Sequence, residues 1–223
     1  MRDKHSLVVL DFDGFLVNSY EIMRATFEQF GLDLGDEERF KQRRKFLKYI
    51  GGGKEILRNL VSYSLPKKRK FREVLTDEFM NTGRVYPAFA PFVNRLVADP
   101  AVHVGVVSRN FALRPGTTIR AVMASSGIDE QHLDFVVPIP IGASKVDVLQ
   151  GMRGGRLERA VLGADEISDF KAAAETGYEP VIGCYGFDRH ARLTKKGGIP
   201  EHLIAATPED AVELLSRALA PSS

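Results

Sequence analysis

The sequence predicts an α/β protein in which a parallel β-sheet is covered by helices on both faces. Amphipathic stretches such as 88–98 and 208–219 separate short apolar runs, and this alternation is typical of βαβ units. The apolar runs are strand-sized and rich in β-branched residues. The predicted strands are 7–10, 102–107, 134–137, 159–162 and 180–183.

Residues 18–84 are predicted to form an inserted helical segment. The interval between the first two strands is far longer than one crossover helix requires, and its pattern is helical only. Asn18 with Glu21 three places on predicts a helix N-cap, and that helix can extend to Gly31. Apolar spacing predicts further helices at 36–50, 54–64 and 67–81. The rest, 1–17 and 85–220, is predicted to form the core domain.

Composition indicates a soluble globular protein. Hydrophobic residues make up 44% of the 223 residues and charged residues 27%, which is ordinary for that class. The net charge of +2 favours neither nucleic acid nor an anionic membrane as partner, although basic residues concentrate within 39–72. No targeting or membrane-spanning run is visible and Cys184 is the single cysteine, so a cytoplasmic location is expected.

Two carboxylates follow the first predicted strand. Asp11 and Asp13 lie two residues apart, so both can face one crevice, while Phe12 between them points into the core. Gly14 lets the backbone turn and approach an anion closely. A carboxylate can attack phosphorus to form an aspartyl phosphate, and a second, protonated carboxyl can protonate the leaving oxygen. Taken alone, the same residues could simply close a strand and cap a turn.

Three later segments of the chain also carry polar residues that phosphoryl transfer could use. Ser108, followed by Arg109, comes after the second strand and can donate a hydrogen bond to a phosphoryl oxygen. Lys145 stands near a predicted helix start and can neutralise developing negative charge. Three acids follow the fourth strand and are hard oxygen ligands suited to Mg²⁺, although they could instead cap a helix. They are Asp165, Glu166 and Asp169.

In order, these four segments resemble the four motifs of the haloacid dehalogenase-like hydrolases, and 172–187 resembles the phosphoglycolate phosphatase-like members. The resemblance implies that Asp11 is nucleophile and metal ligand, and that Asp13 is acid/base and metal ligand through its carbonyl oxygen. It also implies a set of residues that bind the phosphate group, and one further acid that binds Mg²⁺. Two more acids would lie in or near the second coordination sphere of the metal. The phosphate-binding residues would be Gly14, Ser108, Arg109 and Lys145; the acids would be the ligand Asp165 with Glu166 and Asp169 around it.

The resemblance also implies a Rossmann-like sheet of strand order 5-4-1-2-3 and a helical cap inserted after the first motif, where 18–84 lies. The chain departs from the family pattern at three positions. Asn18 stands where many members have Asp, Lys145 lacks the Pro that often follows, and Ala164 adds a residue before Asp165. The added residue could displace Asp165 from the metal.

The predicted function is a Mg²⁺-dependent phosphatase acting on a small phosphorylated metabolite, as a monomer or homodimer. A phosphotransferase of the sugar phosphomutase kind shares the same motifs. A dehalogenase is disfavoured because it needs no acid at position 13, and a catalytically silent binding module is disfavoured because the charged motif residues are retained together. The run at 51–53 lacks the spacing of a nucleotide-binding loop.

Overall fold

The sheet of the protein is parallel throughout. In the computed structural model, which describes residues 5–34, 68–140, 143–154 and 157–220, the strand order is β3-β2-β1-β4-β5-β6. The strands are β1 (Ser6–Leu10), β2 (Val102–Ser108), β3 (Phe135–Pro138), β4 (Arg159–Ala164), β5 (Glu179–Gly183) and β6 (Ile204–Ala205).

The helices lie between the strands in chain order. They are α1 (Ser19–Glu28), α2 (Lys68–Thr82), α3 (Phe89–Ala98), α4 (Pro115–Ser125), α5 (Lys145–Met152), α6 (Ile167–Thr176), α7 (His190–Lys195) and α8 (Pro208–Leu219). None of those in the described ranges combines the length and apolar character that a membrane crossing requires. The α/β, Rossmann-like fold class is confirmed, and β6 is added beside β5.

Both faces of the sheet are buried. Alternate residues of β1 enter different cores: Val8 and Leu10 join one apolar cluster, and Leu7 and Val9 join the other. The first cluster includes side chains of α1, α2, α3, α4 and α8, and the second includes those of α5, α6 and α7. Burial on both faces explains why the strands are apolar runs without polar alternation.

The predicted insertion begins and ends in described helices. α1 packs on α2 through Phe27 and Phe71, whose ring centroids are 5.2 Å apart. α2 also reaches the core, because Phe79 packs on Phe12 at 5.9 Å. The helices predicted at 36–50 and 54–64 lie outside the described residues, so the division into core and cap stays a prediction.

The predicted N-cap of α1 is confirmed in its position but not in its capping hydrogen bond. Asn18 occupies the N-cap position but its side chain makes no capping hydrogen bond. Its backbone, with φ −72° and ψ 80°, departs from the β-region conformation usual at that position. The helix also ends at Glu28, three residues short of Gly31. The hydroxyl of the next residue, Ser19, instead contacts Asp13.

Candidate active site

The candidate site lies where β1, β2 and β4 end. These strands are adjacent and parallel, so residues after their last positions converge on one edge of the sheet. Asp11 follows β1, and its amide donates to the carbonyl of Gly163 in β4 at 2.8 Å. Phe12 is fully buried, as predicted. The carboxylates on either side of it, those of Asp11 and Asp13, are therefore directed away from the apolar core that holds the Phe12 ring.

A buried ammonium links two of the predicted acids. Lys145 Nζ donates to Asp11 Oδ2 at 2.8 Å and to Asp169 Oδ1 at 2.9 Å. All three residues are buried. Burial lowers the pKa of Lys145, but the charges of Asp11 and Asp169 outweigh it and hold that pKa above its usual value. Burial raises the pKa of Asp169 to about 6 against the lowering effect of Lys145.

Asp165 is fully buried beside this ion pair. Its Oδ2 accepts a hydrogen bond of 2.6 Å from the amide of Phe187, while Oδ1 is buried with no hydrogen-bond partner among the described residues. Burial, followed by the charges of Glu166, Asp11 and Asp169, raises the pKa of Asp165 well above its usual value. An isolated carboxylate in this position is costly unless a cation compensates it.

Two glycines allow the backbone to close around Asp165. Gly14 has φ +81°, a conformation that favours glycine, and a Cβ there would lie 2.4 Å from Asp165 Oδ2. A Cβ on Gly186 would lie 2.3 Å from the same oxygen. Side chains at either position would therefore collide with the carboxylate.

The donor set fits a divalent cation. One carboxylate oxygen from each of Asp11, Asp165 and Asp169 lies within 4.8 Å of the others. Two of these carboxylates, those of Asp11 and Asp169, contact the ammonium of Lys145. Three ionised carboxylates beside that one ammonium would leave an excess of negative charge that Mg²⁺ would neutralise. The orphaned Oδ1 of Asp165 is a ligand atom that such an ion would satisfy. The extra residue Ala164 ends β4 and does not remove Asp165 from this cluster.

Asp13 lies in a different set of contacts. Ser19 Oγ donates to its Oδ1 at 2.6 Å, and Ser108 Oγ donates to its Oδ2 at 3.4 Å. Asn110 Nδ2 donates to both oxygens, at 3.1 and 3.0 Å. Burial, with a smaller contribution from the charge of Asp11, raises the pKa of Asp13 to about 6 although these hydrogen bonds lower it. A carboxyl with a pKa near neutrality suits proton transfer.

Other predicted residues lie around these contacts. The backbone amide of Gly14 donates to the carbonyl of Val17. Arg109 Nη2 donates to the carbonyl of Ala143 at 3.2 Å. Glu166 is half-buried and accepts from Ser168 Oγ at 2.9 Å. The phosphate-binding roles of Gly14, Ser108, Arg109 and Lys145 all stay predictions.

Sequence reasoning missed Asn110 and Gly186. Asn110 is two residues after Ser108, which makes it a neighbour of a predicted site residue and is the one available hint. Gly186 follows β5, a strand that contributed no candidate, and only its approach to Asp165 reveals its place. Asp169 was expected around the metal, and its carboxylate lies within the candidate ligand cluster.

No protein-family model matches the sequence, and no curated protein matches it. Solved structures match almost the whole chain. A predicted phosphoglycolate phosphatase from Haemophilus somnus 129PT is 19% identical, with 96% of this chain and 100% of that chain covered and a TM-score of 0.65. A haloacid dehalogenase-like hydrolase from Streptococcus pneumoniae is 19% identical, with 95% and 97% covered and a TM-score of 0.59.

A further match is a haloacid dehalogenase-like protein of unknown function from Agrobacterium tumefaciens C58. It is 13% identical, with 95% of this chain and 97% of that chain covered and a TM-score of 0.62. At such identities the likeness establishes the fold. The chain has the haloacid dehalogenase-like fold, and the order β3-β2-β1-β4-β5 agrees with the order expected from the sequence motifs.

Proposed function

We propose that this protein is a Mg²⁺-dependent phosphatase that hydrolyses a small phosphate monoester through an aspartyl phosphate on Asp11. The observation that carries the proposal is the buried cluster of Asp11, Asp165 and Asp169 with Lys145 at one edge of the sheet. A nucleophilic carboxylate beside a cation and a divalent-metal donor set is the equipment that phosphoryl transfer needs.

In the first step, one oxygen of the Asp11 carboxylate attacks phosphorus and the bond from phosphorus to the ester oxygen breaks. Asp13 gives its proton to that leaving oxygen, which departs as an alcohol. Ser108 and Lys145 hold the phosphoryl oxygens. When bound by Asp11 and Asp165, Mg²⁺ supplies positive charge that offsets the repulsion between the carboxylates and the substrate.

In the second step, water attacks the phosphorus of the aspartyl phosphate. Asp13, now ionised, takes a proton from that water. The bond from phosphorus to the Asp11 oxygen breaks, inorganic phosphate leaves, and the free carboxylate of Asp11 returns. Asp13 is protonated again for the next turnover.

The proposed substrate is a small phosphorylated metabolite. The net charge of +2 gives no strong field for nucleic acid or a membrane surface, so neither is included as a partner. Action as a monomer or homodimer in the cytoplasm belongs to the same proposal.

The test is a panel of alkyl and aryl phosphate esters offered to the purified protein with Mg²⁺ or with excess chelator. Phosphate should be released with Mg²⁺ only, and readdition of Mg²⁺ should restore release. Mass spectrometry after acid quench should find an added phosphoryl group on the peptide that contains Asp11. Asp11→Asn should show neither turnover nor the added mass.

Full activity in excess chelator would contradict the proposal, and so would turnover by Asp11→Asn. Transfer of the phosphoryl group to a sugar hydroxyl in preference to water would identify a phosphomutase. A wild-type protein that binds Mg²⁺ but hydrolyses no ester and transfers no phosphoryl group would be identified as a binding module.

A further inference from the structure

The loop between β2 and α4 is held by α2. Arg72 Nε donates to the carbonyl of Phe111 at 3.1 Å, and its Nη2 donates to the carbonyl of Ala112 at 2.8 Å. One turn further along α2, Thr76 Oγ1 accepts a hydrogen bond of 2.7 Å from the amide of Leu113. Three consecutive residues of the loop are therefore tied to one face of this helix.

The same loop orients Asn110. The amide of Ala112 donates to Asn110 Oδ1 at 2.9 Å, which fixes the plane of the buried side-chain amide. The Nδ2 group then points at Asp13 and donates to both of its carboxyl oxygens. An amide bound at both ends restrains the rotation of the carboxyl that it contacts.

α2 also contacts the chain next to Asp13 by a second route, because Phe79 packs on Phe12. α2 is the last helix of the predicted insertion at 18–84. The segment that is expected to form the cap is therefore attached to the loop that holds Asn110. The attachment is polar and directional.

We propose that Asn110 is a positioning residue that fixes the orientation of the Asp13 carboxyl, and that Arg72 and Thr76 of α2 fix Asn110 through the loop. This inference rests on the proposed function, in which Asp13 protonates the leaving oxygen. A carboxyl that rotates freely spends less time directed at that oxygen. The loss falls on substrates whose leaving group needs a proton.

Asn110→Ala should lower kcat for an alkyl phosphate about tenfold to a hundredfold and kcat for an aryl phosphate less than about threefold. KM should be unchanged for both, because Asn110 is not proposed to bind substrate. Asp13→Ala provides the ratio of alkyl to aryl activity expected for complete loss of the acid.

Thr76 offers a matched pair of variants. Thr76→Val keeps the shape but removes the hydroxyl that accepts from Leu113, and should lower the alkyl kcat about threefold to tenfold. Thr76→Ser keeps the hydroxyl and should retain the wild-type ratio. Arg72→Met should behave like Thr76→Val, and Arg69→Met is its control because Arg69 is 83% exposed and pairs with Glu73 on the same helix.

Equal losses on alkyl and aryl esters in Asn110→Ala, or equal ratios in Thr76→Val and Thr76→Ser, would overturn the inference and leave the phosphatase assignment in place. If Asn110→Ala does not fold, the Thr76 and Arg72 variants decide. A wild-type protein that hydrolyses no ester overturns the proposed function itself, a result that the variants cannot produce.

Discussion

Lys145 is the residue on which the charge balance of the site depends. It is buried, and its Nζ contacts one oxygen of Asp11 and one of Asp169. A buried ion pair contributes little net stability compared with an apolar pair, but removal of one partner leaves the others uncompensated. Removal of Lys145 is therefore expected to destabilise the fold and to weaken the phosphoryl binding that is proposed for the site.

Lys145→Met should lower the free energy of unfolding by roughly 3 kcal/mol in chelator at neutral pH, because Asp11 and Asp169 are left without their counter-charge. Turnover of any ester should also fall by a factor of about a hundred or more. Chemical denaturation measures the first effect. Lys171→Met on the exposed side of α6 is the control and should change neither quantity; equal stability of the two variants would contradict the prediction.

Gly186→Ala tests the close approach to Asp165. The added Cβ would lie 2.3 Å from Asp165 Oδ2 and 2.5 Å from the carbonyl oxygen of Gly14, so the carboxylate must move. Mg²⁺ affinity should fall about tenfold to a hundredfold, as it does when the groups that orient a metal ligand are altered. Calorimetric titration with Mg²⁺ measures it. Gly151→Ala, where a Cβ meets nothing within 4 Å, should bind as the wild type does.

At this scale the sequence predicted the acids and the lysine but not their supports. Carboxylates after apolar strands are visible because the ends of parallel strands share one edge. Asn110 could not be assigned because its role depends on the direction of a side-chain amide, which the loop and α2 determine together. Asn18 with Glu21 three places on predicted the position of the N-cap, but the capping hydrogen bond also requires a backbone conformation that Asn18 does not adopt.

At the scale of elements, the pair α5 and α6 presents Lys145 and Asp169 to the site. Each of these residues lies in the first turn of its helix. The far end of α5 is tied down by Tyr178, whose hydroxyl donates to the carbonyl of Leu149 at 2.9 Å. Arg153 Nη1 donates to the carbonyl of Thr176 at 2.7 Å. These bonds fix α5 against α6 and with it the separation of the two charged groups.

Tyr178→Phe should give a stability difference that changes sign with pH. Burial raises the pKa of Tyr178 from 10.0 to about 12, although Arg153 lowers it. Below pH 10 the wild type should be more stable by about 1 kcal/mol, the contribution of its hydrogen bond. Between pH 10 and 12 the unfolded chain loses this proton first, so the wild type should lose roughly 2 kcal/mol relative to the variant.

Denaturation of both proteins from pH 8 to 12 checks this. Other alkaline titrations affect both proteins alike and cancel in the difference. A difference that stays constant across the range would mean that the hydroxyl is not buried in the folded protein.

For the whole molecule, five strands were predictable because burial on both faces makes parallel strands continuous apolar runs. Their order was expected only because the motifs resemble those of the haloacid dehalogenase-like hydrolases. β6 was not, because a strand of two residues, Ile204–Ala205, is too short to show a pattern. The ends of α2, α3 and α8 were predicted within a residue, since their apolar faces have helical spacing over about three turns or more. The placement of Asp165 depends on β4, which precedes it, and on Phe187 and Gly186, which follow β5. These residues are distant in sequence, so no single segment predicts how Asp165 is held.

The free energy of unfolding should show that a carboxylate at position 165 favours metal binding but destabilises the metal-free protein. In metal-free protein Asp165 is a buried carboxyl with an unpartnered oxygen and a raised pKa, so Asp165→Asn should raise the free energy of unfolding by about 1 kcal/mol in chelator. Mg²⁺ should stabilise the wild type by about 2.7 kcal/mol at a hundred times its Kd and leave the variant almost unchanged. The two melting temperatures should therefore cross as Mg²⁺ is added. Parallel curves for both proteins would show that Asp165 does not bind the ion, and a variant less stable than the wild type in chelator would show that the carboxylate is already compensated by the protein.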